Sequence, residues 1–113
     1  AATTGLLVAA LLAAPTAAFR VVLFSKTNGF RHASIGAAVT RLSADLGARG
    51  AAVTATEDAA ALVAAVDADA VDVVVWLMAT DSASSPLLDG AQRSAVDAYV
   101  ARGGGWGGVH AAY

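Results

Sequence analysis

The run Asp72-Val73-Val74-Val75-Trp76-Leu77-Met78 constrains the fold more than any other part of the chain. Its residues are apolar at odd and even positions alike, so both faces of such a strand need cover. A strand buried on both faces belongs inside a parallel sheet with helices on each side. Phe19 to Ser25 is a second short run of this kind, rich in β-branched residues. Between the two, the period changes. Ile35, Val39, Leu42 and Leu46 fall at i, i+4, i+7 and i+11, one face of a helix, and Gly50 supplies a left-handed stop. Ala51 to Thr56 alternates like a second strand, and Thr56 or Asp58 can cap a short helix through Leu62, Val63 and Val66. After the strand Val71 to Met78 comes a polar loop with Ser82, Ser84, Ser85 and Pro86. Asp89, with Gln92 three residues on, has the form of a capping box. The helix it opens carries Val96, Tyr99 and Val100 on one face and ends at Gly103, before a glycine-laden fourth strand, Gly104 to His110.

Strands alternating with helices at this spacing predict an α/β fold with right-handed crossovers. The expected architecture is a flavodoxin-like three-layer sandwich with a parallel sheet of order 2-1-3-4. Strands one, three and four are the apolar ones, and strand two reads as an edge.

Composition removes several classes of function. With 113 residues the chain is one domain at most. It is 58% hydrophobic and 14% charged, which excludes a disordered chain. A formal charge of -2, with no Lys/Arg cluster, argues against nucleic acid as a partner. The absence of cysteine excludes disulfides, thiolate zinc sites and a cysteine nucleophile. No uninterrupted apolar run reaches the length that spans a bilayer. The stretch Leu6 to Ala14 does have the length of a signal-peptide core, and Pro15 is followed by small residues, with Thr16 and Ala18 placed for cleavage before Phe19. Residues 1–18 are therefore expected to be a signal-peptide remnant and the protein exported. The domain occupies 19–113, and a fourth strand with no helix after it reads as a domain truncated there.

In an open parallel sheet the ligand crevice lies beyond the carboxyl ends of the strands, where the strand order switches. Here that is between strands one and three, and the loops 25–32, 79–85 and 110–113 reach it. The first loop offers Ser25, Lys26, Thr27, Asn28, Gly29 and Arg31 as ligand-binding groups, and the second offers Thr80 and Asp81. Helix charges such as Arg41, Asp45, Arg49, Arg93 and Asp97 read as a solvated face. The loop lacks the Gly-x4-Gly-Lys spacing of a Walker A motif. His110 follows Gly107-Gly108-Val109 at a strand-to-helix corner, the placement of a nucleophile elbow. A histidine there serves as general acid, general base or hydrogen-bonding group rather than as an acyl-forming nucleophile. His32, at the start of the first helix, is the other histidine. With one strand between theirs, the two backbones would stand about 10 Å apart and the imidazoles could meet on one small ligand. A metal would need a third ligand, with Asp81 the near candidate, so no metal site is expected. Trp106 reads as a core tryptophan rather than as a face for a sugar ring.

At these loops the chain resembles a known family. Phe24-Ser25-Lys26-Thr27-Asn28-Gly29-Phe30-Arg31-His32, followed by Ser34-Ile35, is similar to the opening motif of the ThuA-like (trehalose-utilisation) family. Gly103-Gly104-Gly105-Trp106-Gly107-Gly108-Val109-His110-Ala111-Ala112 is similar to that family's glycine-rich strand. Between them, Thr54-Ala55-Thr56-Glu57-Asp58, the strand from Asp72 to Leu77, and Leu88-Asp89 with Gln92 fit in order. The similarity covers residues 20–112, and the chain departs from the pattern at Tyr113. The resemblance implies a class I glutamine amidotransferase-like fold, but with His110 where an amidotransferase has its cysteine, so Cys-dependent amidotransferase chemistry is excluded. It also implies a domain continuing past Tyr113, and a role in carbohydrate utilisation.

The expected function is thus binding or acting on a carbohydrate of the trehalose type at this rim. His110 and His32 are the catalytic candidates, and no cofactor is expected. The alternative is a non-catalytic binding or accessory module of a larger secreted sugar-metabolising protein. A third reading is a flavodoxin-like binder of phosphate or flavin. Expected partners are a small carbohydrate and either a second copy of the chain or fused sugar-enzyme domains.

Overall fold

The computed structural model describes residues 18–110. The signal-peptide expectation therefore lies outside the described residues except at Ala18, as do Ala111, Ala112 and Tyr113. The elements in chain order are β1 (Phe19–Phe24), α1 (Ile35–Ala48), β2 (Ala51–Thr56), α2 (Ala59–Asp67), β3 (Val73–Leu77), α3 (Gly90–Ala101) and β4 (Gly105–Val109). They form one parallel sheet of order β2-β1-β3-β4. This is the expected α/β flavodoxin-like topology.

The pleat sorts the strand side chains into two cores. Val22 and Phe24 of β1 and Val74 and Trp76 of β3 join Leu62 and Val66 of α2 and Val96 and Tyr99 of α3 in the larger one. Leu77 and Met78 pack with Ile35 beneath α1, where Val39 and Leu42 are only partly buried. Two helices thus cover one face and a single helix the other. Asp58, rather than Thr56, caps α2 by accepting the Ala60 N–H, while the Thr56 hydroxyl oxygen accepts from the Asp58 N–H. The capping box at Asp89 and Gln92 is formed, with both reciprocal bonds. Gly50 turns the chain after α1 with a φ of +90°.

Two expectations about packing are corrected. Trp106 is 47% exposed, not a core residue. It lies on β4 opposite Val74, on the face of α2 and α3, and its ring stands 6.2 Å from Trp76. Val100 is 46% exposed, although Val96 and Tyr99 on the same helix are buried. Both residues line an open groove of about 310 Å³ between α3 and β4, together with Leu87, Leu88 and Arg93. Helix α2 packs against the opposite flank of α3, and among the described residues no element closes this one.

The amino-terminal ends of the strands are locked by charge. Arg20 grips both oxygens of Asp72 in a bidentate pair, at 3.1 and 2.9 Å, and donates to the Asp69 carbonyl. This arginine, by side-chain and backbone hydrogen bonds, holds the Asp72 carboxyl down at about 2. Tyr99 is buried nearby and donates its hydroxyl to the Gly105 carbonyl at 2.8 Å. Burial raises its pKa above the ordinary tyrosine value.

Candidate functional site

The site is built where β1, β3 and β4 end. The strands β3 and β4 end in the same way. Met78 follows β3 with φ +48° and His110 follows β4 with φ +54°. Leu77 pairs with Val109, so these two left-handed residues are neighbours across the sheet. The Met78 N–H donates to the Val109 carbonyl at 3.1 Å. Left-handed backbone costs a non-glycine residue roughly 1–2 kcal/mol, and at His110 it gives the corner conformation that the sequence position implied.

His32 comes to the same place from the other side. It stands in the loop after β1, and its carbonyl accepts from the Ile35 N–H at the start of α1. Ser34 donates its hydroxyl to the Met78 sulfur at 3.4 Å, which ties the start of α1 to the end of β3. The result is a direct meeting of the two histidines. Their ring centroids are 4.6 Å apart with an interplanar angle of 71°. Phe30 extends the row, its ring 4.9 Å from His32 at 75°.

The other residues singled out in the sequence are placed around this row rather than in it. Lys26 donates its ammonium to the Leu87 carbonyl at 3.1 Å. Asn28 donates its side-chain amide to the Ser85 and Pro86 carbonyls. Gly29 lies against the second loop so closely that a Cβ there would fall 2.4 Å from the Asp81 carbonyl oxygen. Thr80, buried, donates its hydroxyl to the Phe30 carbonyl at 2.6 Å. One carboxylate oxygen of Asp81 accepts the Ser82 and Leu87 N–H groups. These bonds staple the 25–32 loop to the 79–88 loop and so fix where Phe30 and His32 stand.

Arg31 and Thr27 turn toward β2. The Arg31 guanidinium pairs with Glu57 at 2.5 Å and donates to the Thr27 hydroxyl at 3.2 Å. With buried Ser25 and half-buried Thr56, Arg31 and Glu57 line a second groove of about 240 Å³. Neither this groove nor the one beside Trp106 is lined by His32 or His110. The histidine row stands apart from both grooves. Among the described residues, no three His, Cys, Asp or Glu side chains are grouped to hold a metal ion. No described helix is long and apolar enough to cross a membrane.

A family model described as ThuA, trehalose utilisation, matches residues 20–113. The chain belongs to the ThuA family. No curated protein and no solved structure matches it. The match takes in both ThuA-like motifs, and the fold carries their ends, His32 and His110, to one point.

Sequence reasoning missed three contributors to this ThuA rim. Phe30 reads as a plain loop residue, though a phenylalanine inside a polar loop is itself a signal. Glu57 follows the second strand, and every strand of a parallel sheet ends at the same rim, so its pairing with a cation from loop 25–32 is open to inference. Met78 reads as the last residue of the third strand, and nothing in the sequence marks its positive φ.

Proposed function

We propose that the paired imidazoles are the working centre of a carbohydrate site, and that His32 and His110 act there as acid/base or hydroxyl-binding groups on a sugar. The observation that carries this reading is the 4.6 Å approach of two rings from motifs far apart in the sequence. An imidazole both donates and accepts hydrogen bonds, as a hydroxyl does. Two at this spacing can address neighbouring oxygens of one sugar, or hold one oxygen while moving its proton. Membership of a family described by trehalose utilisation supports a sugar as the ligand. The residue at the elbow is His110, so no thiolate acyl chemistry operates there.

A second reading, a non-catalytic binding or accessory module, is favoured by one observation. Lys26, Asn28, Arg31, Thr80 and Asp81 all spend polar atoms on bonds within the protein. Incubation with trehalose and with an oxidised disaccharide separates the two. Turnover that disappears in His110→Ala and His32→Ala supports the enzyme. Saturable binding without turnover, unchanged by His110→Ala, supports the module. We also propose export on the strength of the Leu6 to Ala14 run. Recovery of the protein only in the cytosolic fraction of its host would contradict that.

A further inference from the structure

We propose that Phe30 is the stacking platform of this rim: its ring carries the apolar face of a pyranose while His32 and His110 take hydroxyls at the sugar's edge. This rests on the carbohydrate reading above and makes it more specific.

Phe30 is 71% exposed. A folded chain ordinarily buries a benzyl group, and a pliable loop would fold it away. This loop is held. Thr80 bonds the Phe30 carbonyl, and the Asn28 and Gly29 N–H groups both donate to the Thr80 carbonyl. The close approach of Gly29 to the Asp81 carbonyl leaves the loop no room to settle deeper. The ring is therefore kept at the surface by bonds to its own backbone and its neighbours.

Its surroundings define the ligand. Phe30 meets His32 edge-on, and His32 meets His110 edge-on. One such contact occupies one side of the phenyl ring and leaves its other face open. The row offers an apolar face followed by two hydrogen-bonding rings. A pyranose has the matching form, with a face of C–H groups and hydroxyls around its periphery. An anionic planar ligand, such as a nucleotide or flavin phosphate, would want a cation beside the platform. The two cations of the loop are committed elsewhere, Lys26 to the Leu87 carbonyl and Arg31 to Glu57. A neutral sugar is therefore the better fit.

The test is a titration with trehalose, read by NMR at the Phe30 ring and the two imidazoles. In the unaltered protein all three rings are expected to shift together and saturably. Phe30→Ala should weaken trehalose binding by about tenfold or more, the loss of one aromatic stacking contact together with the apolar area it covers. Phe30→Trp should bind within about threefold of the unaltered protein, since a larger aromatic face replaces a smaller one. If Phe30→Ala binds as tightly while both imidazoles still shift, the platform is wrong and the carbohydrate reading survives. If trehalose binding is untouched and Phe30→Ala instead abolishes self-association in sedimentation, the ring is a protein contact and the proposal falls. If neither trehalose nor glucose moves any of the three rings in the unaltered protein, the platform and the carbohydrate reading fall together.

Discussion

Gly29→Ala is the sharpest test of how the rim is held together. The added Cβ would sit 2.4 Å from the Asp81 carbonyl oxygen, 3.3 Å from the Thr80 hydroxyl and 3.4 Å from the Asp81 carbonyl carbon. The closest of these is backbone, so no side-chain rotation relieves it. Restoring ordinary contact separates the two loops by nearly 1 Å. Three bonds cross that seam: Asn28 N–H to the Thr80 carbonyl at 2.9 Å, Gly29 N–H to the same carbonyl at 3.3 Å, and Thr80 hydroxyl to the Phe30 carbonyl at 2.6 Å. Losing two or three of them costs about 2–3 kcal/mol at ~1 kcal/mol each. Reduced freedom of the unfolded chain returns about 0.4–1 kcal/mol, which leaves a loss of about 2 kcal/mol. For a domain of this size that is a fall in Tm of roughly 10 °C. Gly36→Ala is the control. It lies inside α1 and its Cβ would meet nothing within 4 Å, so it should gain up to about 1 kcal/mol from helix propensity. The assay is thermal and urea unfolding of both variants, with a nuclear Overhauser measurement between the two imidazoles. Gly29→Ala should lose that cross-signal along with stability. A variant melting within about 2 °C of the unaltered protein, with the imidazole contact intact, would refute the stapled-loop account.

His110→Gly should be more stable than His110→Ala by about 0.5–1 kcal/mol, because glycine accepts the φ of +54° without steric cost and loses part of that gain to its own entropy; urea midpoints check this. Asp72, held at about 2 when folded, contributes stability that is full above the ordinary carboxylate range and is lost as pH falls through about 2. Asp72→Asn should flatten the acid unfolding profile between pH 4 and 2. Tyr99→Phe should cost about 1 kcal/mol for its bond to Gly105. Tyr99 contributes stability present below the ordinary tyrosine range and lost as pH rises past it, and the phenylalanine variant should lose that alkaline dependence in a melting series.

The parts of the fold that were legible are those where a residue's own chemistry dictates its neighbours. Val73 to Leu77 could not be anything but a central strand, and the Asp89–Gln92 box closes over four residues without outside help. Gly50 and Gly103 mark helix ends because only glycine is at ease at φ near +90°. Periodicity reports that a face is apolar and is silent on what covers it. Val100 shares its apolar face with Val96 and Tyr99 and yet lines an open groove, and Trp106, which reads as a core tryptophan by residue type, lines it too. The polar loop was equally ambiguous. Lys26, Asn28 and Arg31 read as ligand-binding groups by type, yet their partners at Leu87, Ser85 and Glu57 lie 26 to 61 residues away. Such closures exist only once the sheet has assembled.

The two left-handed residues at the rim show how structure separates packing from function. Met78 and His110 are adjacent, each ends a strand, and each bears a similar backbone cost. Met78 recovers it. Its side chain is buried with Ile35 and Leu77, its sulfur accepts from Ser34, and its N–H is bonded to Val109. His110 is exposed, and its ring meets that of His32. An exposed aromatic pair is worth about a kilocalorie at best, no more than the strain it would have to offset. Strain at His110, without a return from burial, supports the role proposed for its side chain. Phe30 is likewise exposed, fixed at the surface by Thr80 and placed against His32. His110 and Phe30, brought to the same point by independent devices, are what the proposed sugar site rests on, more than the lysine, asparagine and arginine whose polar atoms are already bonded within the protein.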